Sequence, residues 1–162
     1  MPTLEIKDYY DGLMSDVLVS SQIEGTNPEV EFLNTVLELL ADAGEFDEYI
    51  PVEDGVDGAG RWRIDGYSFD ETGTTLNYFI SIFVNEDQFT NLTQTDIKKV
   101  MKKVTNFITF INTKDIFSSL EVASEVFQAA QQIKGSIESL KQIDVYIMLL
   151  NFIFGIFKEF LN

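Results

Sequence analysis

The sequence predicts an α/β fold, a mixed sheet with helices on both faces, and three observations lead there. Residues 76–84 alternate Leu76, Tyr78, Ile80, Ile82 and Val84 with Phe79 and Phe83 on the opposite side. A strand apolar on both faces is a central strand, covered above and below. A second apolar run, "IDVYIMLL" at residues 143–150, reads as another buried strand. Two stretches of helical character separate the pair, and a helical crossover of this kind joins strands that run parallel.

The elements follow in the order α-α-β-β-α-α-β-α, within one domain spanning residues 1–162. The first helix carries Ile6, Tyr10, Leu13, Met14, Val17 and Leu18 at helical spacing. The second begins at "TNPEVEF", where Asn27 is the cap, Pro28 takes the first helical position, and Glu29 and Glu31 sit in the first turn. It closes at Gly44, and Phe32, Leu33, Val36, Leu37 and Leu40 form its buried stripe. Residues 45–60 are acidic and glycine-rich, hence loop or a weak edge strand. "RWRIDGYSFDETGTTLNYFISIF", residues 61–83, reads as a hairpin. Thr93 and Asp96 form a capping box for a helix running to about Ile111. A further helix fits residues 121–133 and stops near Gly135, the strand at 143 follows, and "FIFGIFKEFL" closes the chain as an apolar helix.

Composition narrows the chemistry. There is no histidine and no cysteine, which excludes Ser-His-Asp and Cys-His catalysis, disulfides, and thiolate or imidazole metal sites. The net charge of -16 opposes unaided binding to nucleic acid, whose phosphates supply most of that affinity. The longest apolar stretch, residues 145–157, is interrupted by Asn151 and Gly155 and falls short of the roughly 20 residues a membrane span needs. No basic segment followed by an apolar run opens the chain. Together these features predict a soluble, cytoplasmic protein.

One residue in the hairpin is out of place. Asp65 stands inside a predicted strand beside Trp62, Ile64 and Tyr67, although aspartate is a poor strand former. Either it lies on a solvated face or beside the turn, or a metal or a reaction requires a carboxylate there. Glu29 raises the same question, because it falls on the apolar stripe of the second helix. It is equally explained as a first-turn acid that favours the helix dipole. Asp70 and Glu71 are turn residues before Gly73.

Around these residues the sequence resembles the N-terminal region of the abortive-infection phage-resistance (AIPR) family. The resemblance rests on a leucine-rich helix ending in Ala43-Gly44-Glu45, then an acidic loop, then Arg63-Ile64-Asp65-Gly66-Tyr67 with Phe69-Asp70, and a strongly apolar strand. It continues through "FSSLEVASEVFQAAQQI" to "VYIMLLN", ending about Asn151. It implies a restriction-endonuclease-like sandwich, and that the chain is the N-terminal part, or a truncated member, of a longer defence protein. That fold carries an aspartate on one strand, an acid and a lysine on the next, and often a helical glutamate. Asp65 and Glu29 match the first and last of these, and together they would hold Mg²⁺.

The second strand departs from the pattern. "LNYFISIFVN" has no acid-x-lysine, its first acid is Glu86, and no lysine occurs between Lys7 and Lys98. A migrated lysine is one remedy: "DIKKVMKKV" places Lys98 with Lys102, and Lys99 with Lys103, one helical turn apart. The stripe would alternatively hold a phosphate backbone, which makes nucleic acid a partner that the net charge disfavours, or it is a solvated helix face. The resulting expectation is a degenerate nuclease-like domain acting by protein interaction. The alternative is a Mg²⁺-dependent nuclease using Asp65, Glu29 and Lys98 or Lys102, and a weaker third is an acidic mimic of nucleic acid. The final apolar helix, with Phe152, Phe154, Phe157 and Phe160 spread around it, predicts a homodimer interface or contact with the remainder of a longer chain.

Overall fold

The structure is a computed structural model that describes residues 4–82 and 93–149. The predicted final helix with Phe152, Phe154, Phe157 and Phe160 lies outside the described residues, as do Phe83, Val84 and Glu86.

Two helices open the fold: α1 (Leu4–Glu24) and α2 (Pro28–Asp42). Strands β1 (Ile50–Pro51), β2 (Gly66–Phe69) and β3 (Thr75–Ile82) follow, then helices α3 (Gln94–Thr113), α4 (Ile116–Ser119) and α5 (Glu125–Ser136), and last β4 (Gln142–Leu149). The four strands form one sheet in the order β1-β2-β3-β4. β2 runs antiparallel to both β1 and β3, and β3 pairs with β4 in parallel. The sheet is therefore mixed, and the helical crossover is what brings β4 back alongside β3.

Alternation along β3 divides the core in two. Leu76, Tyr78 and Ile80 join Tyr67, Val145 and Ile147 beneath α3 and α5, against Val104, Phe107, Ile111 and Ile133. Phe79 faces the other way, with Tyr146 and Met148, toward Val17 of α1 and Phe32, Leu33, Val36 and Leu37 of α2. Phe46 completes this second layer, its ring 4.9 Å from that of Phe79. Of the stripe expected on α1, Val17 is buried with Leu13 and Met14 packed beside it, but Leu18 is 46% exposed. One helical step turns it about 100° from Val17 and off the α2 contact.

Local chemistry explains the element ends. Asn27 accepts from the Glu29 N–H and caps α2, and Thr93 with Asp96 makes the reciprocal capping box of α3. The β2–β3 turn is organised by Asp70, whose Oδ1 accepts from the Thr74 and Thr75 N–H groups at 2.9 and 3.0 Å, while Gly73 supplies a φ of 68°. The expected helix at 121–133 starts later, at Glu125, and runs past Gly135 to Ser136. Its N-terminus is fixed from afar. Asp54 accepts from the Glu125 and Val126 N–H groups, and Glu125 in return accepts from the Glu53 N–H. Gly55 beside it is required by close approach, because a Cβ there would meet the Ile64 carbonyl oxygen.

Among the described residues no helix is long and apolar enough to cross a membrane.

Candidate functional site

Asp65 lies one residue before β2 rather than inside a strand, yet its backbone is paired on both sides. Its N–H donates to the Phe79 carbonyl and its own carbonyl accepts from the Val52 N–H, each at 2.9 Å. With the chain pinned there, the side chain is 6% exposed as a residue and must find partners inside. Ser81, on the neighbouring strand β3, gives it two: its N–H donates to Oδ2 at 2.6 Å and its hydroxyl at 3.1 Å.

The third partner is Arg63. Its Nε donates to both carboxylate oxygens of Asp65, at 3.0 and 2.9 Å. Its Nη2 donates to Glu29 Oε1 at 2.8 Å and to Ser81 Oγ at 3.0 Å. Glu29 reaches this point from the first turn of α2, whose start the Asn27 cap and Pro28 fix. The two acids singled out in the sequence therefore meet in one polar cluster, with a guanidinium between them. Burial works against the charge on Arg63, but the hydrogen bonds and charges of Asp65 and Glu29 outweigh it and hold the group above its ordinary value. Tyr78 donates to the Arg63 carbonyl at 2.6 Å. Its phenol is pushed well above the usual range by burial and by the nearby Asp65 charge.

A cavity of about 140 Å³ opens onto the cluster, lined by Glu29, Asn34, Arg63, Asp65, Ser81 and Glu53 among others. The Asn34 Oδ1 atom is buried there without a hydrogen-bond partner. As a Mg²⁺ site this arrangement fits poorly. That ion demands near-octahedral oxygen coordination and generally one or two free carboxylates. Here Arg63 engages both oxygens of Asp65 and one of Glu29, so its positive charge stands where the cation would have to be. Among the described residues no three acids converge closely enough to share a metal.

Lys98 and Lys102 are elsewhere. Both are exposed on α3, whose buried side packs on the opposite face of the sheet from α2, and neither lines the cavity. Asp70 serves the hairpin turn and Glu71 is exposed beside it.

Arg63 is the residue sequence reasoning passed over. Its signal was present, since an arginine two positions before an aspartate on an extended segment shares its face. Ser81 gave no comparable signal.

The fold and this cluster define a mixed α/β domain with a partly buried, ion-paired pair of acids where the first turn of α2 meets the start of β2 and the end of β3. Residues 32–148 match the family model described as the abortive infection phage resistance protein N-terminal domain. The chain belongs to that family, which ties it to phage abortive-infection defence. No curated protein matches the chain, and no solved structure does either.

Proposed function

We propose that this domain serves phage defence as an interaction module, on a restriction-endonuclease-like sandwich whose acidic site is degenerate. The observation that carries the reading is Arg63, which ties Glu29 and Asp65 to each other. Two facts support it. The strand that would bring the second acid and the lysine, "LNYFISIFVN", has neither before Glu86. The lysines that could have migrated project from the other layer of the fold. An ion pair that joins a buried carboxylate, Asp65, to a half-buried one, Glu29, is costly to break because breaking it leaves the Asp65 charge without its cation. Here it fixes α2 against the sheet. The partner is another protein or the remainder of a longer chain, with a homodimer through Phe152, Phe154, Phe157 and Phe160 as the form the isolated chain takes, and the setting is the cytoplasm.

Incubation of the purified chain with DNA and RNA in Mg²⁺ or Mn²⁺ tests the reading, with no cleavage expected. Metal-dependent cleavage abolished by Asp65→Ala would contradict it and support a Mg²⁺-dependent nuclease that recruits Lys98 or Lys102. Sedimentation tests the pairing separately: a dimer that tightens with salt is expected from the -16 charge.

A further inference from the structure

The basic residues of this acidic protein are not scattered. Of eleven, six lie along α3 and the loop beside it: Lys98, Lys99, Lys102, Lys103, Lys114 and Arg61. Lys98, Lys99, Lys102 and Lys114 are exposed, and none of the five lysines forms an ion pair among the described residues. Three acids along this face are engaged locally. Asp57 pairs with Arg61 at 2.8 Å, Asp96 closes the α3 capping box, and Asp115 caps α4. Glu121 adds a fourth, exposed one residue beyond Leu120. Among the described residues, six cations against four carboxylates leave this face with a positive balance within a chain of net charge -16. At physiological salt the opposing field of the remote acids is screened beyond about 8 Å.

The lysine stripe runs into a groove. Asn106 continues the turn-by-turn spacing from Lys102, and its Nδ2 donates to the Arg61 carbonyl at 2.8 Å, tying the loop to the helix. Beyond it an open groove of about 570 Å³ has apolar walls from Trp62, Phe110 and Leu120, set between Arg61 and Lys114. Trp62 and Phe110 stack with ring centroids 5.3 Å apart. Trp62 is buried beneath Phe107 and Phe110, so the ring the groove offers is the half-buried Phe110. Arg61 is paired there with Asp57, leaving Lys114 as the unpaired cation of the lining. A row of lysines leading to an aromatic edge matches the chemistry of a phosphodiester backbone with an unstacked base. The path from Lys98 to Lys114 is about 24 Å along the helix, in keeping with a small single-strand site of about four nucleotides or more.

We infer that the exposed face of α3, with the groove at its C-terminal end, binds single-stranded nucleic acid through its backbone. The inference goes beyond the interaction role proposed above and is independent of the state of the Arg63 cluster, because it uses the other layer of the fold and requires no cleavage.

Fluorescence anisotropy of a labelled oligothymidylate with the 162-residue chain tests it. Binding in the range of about 1–100 μM is expected at 50 mM NaCl, as for sequence-independent association. Four to five neutralised phosphates predict a log–log salt slope of about -3, hence a loss of about 60-fold on moving to 200 mM NaCl. Lys98→Glu/Lys102→Glu should weaken binding at least about tenfold and flatten the slope. The equally exposed control Lys134→Glu/Lys141→Glu should change it little. Absence of binding at 50 mM NaCl, or equal loss in the control, would overturn the inference. Tighter binding of a duplex would overturn the single-strand assignment. Low-salt self-association abolished by Lys98→Glu/Lys102→Glu, without oligonucleotide binding, would give the face to a second copy instead.

Discussion

The two faces of the sheet are built on the same strands and do different work. Beneath α3 and α5 the strands present Leu76, Tyr78, Ile80, Val145 and Ile147, and the helices answer with Val104, Phe107, Ile111 and Ile133. The polar atoms there belong to tyrosines with satisfied hydroxyls, Tyr67 donating to Gln132 and Tyr78 to the Arg63 carbonyl. Beneath α1 and α2 the apolar patch around Phe79, Tyr146 and Met148 is smaller, and buried polar residues flank it along the strands. Ser68, Asn77 and Asp144 stand in register across three strands, with Asn77 donating to Ser68 at 3.0 Å. Ser81 and Asp65, at the other end, meet Arg63 and Glu29. Alternation of period two makes this possible, since one strand can hold an oil-like face and a charged one without compromise in either. The lesson is that the apolar face carries stability, and the mixed face carries whatever specificity the buried charges confer.

Substitutions on the two faces should therefore fail for different reasons. Phe107→Ala, on the apolar face, removes a fully buried ring that packs on Trp62 and Tyr78. It is expected to cost about 4 kcal/mol in urea unfolding. Arg63→Met leaves Asp65 and Glu29 facing each other without their cation, and should cost about 3 kcal/mol. The comparison is sharpened by the triple variant Glu29→Gln/Arg63→Met/Asp65→Asn, which removes the charges together. It should recover part of that loss, whereas no second change on the apolar face restores a missing ring by removing charge. If the triple variant were no more stable than Arg63→Met, the cluster would be a packing feature and the contrast between faces would fall.

Much of this contrast was legible in the sequence. Alternation through Tyr78, Phe79 and Ile80 showed a strand covered on both sides, Asn27-Pro28 marked the start of α2, and Thr93 with Asp96 marked the start of α3. Asp65 stood out because aspartate is a poor strand former, although whether it faced solvent or the interior stayed open. Its explanation was not legible, because Arg63 reaches Glu29 across 34 positions and Ser81 across 18. The start of α5 escaped for the same reason, since Asp54 caps it from 71 positions away. The single turn α4, only four residues long, is too short to show a period.

Smaller effects probe the links between the layers. Asp54→Ala removes the acceptor of two α5 N–H groups. A loss of about 1–2 kcal/mol is expected, with faster amide exchange in the first turn of α5 as the local sign. The smallest effect is in acid. The Thr75 N–H, with the Thr72 hydroxyl and the Thr74 N–H, holds the Asp70 carboxyl below the usual carboxylate range. A depressed folded value stabilises the protein above the unfolded value, about pH 4, and that contribution is lost as pH falls through the folded value. Asp70→Asn should therefore be less stable than the unaltered chain at pH 6, and the difference should shrink below about pH 4.

The central claim is that Glu29 and Asp65 are held by Arg63 and not available to a metal. Titration of the unaltered chain with Mn²⁺, followed by the loss of the free-ion electron paramagnetic resonance signal, tests it most directly. The account predicts no binding at millimolar Mn²⁺ that depends on Asp65, so Asp65→Asn should leave the titration unchanged. A stoichiometric Mn²⁺ site that disappears in Asp65→Asn would contradict it.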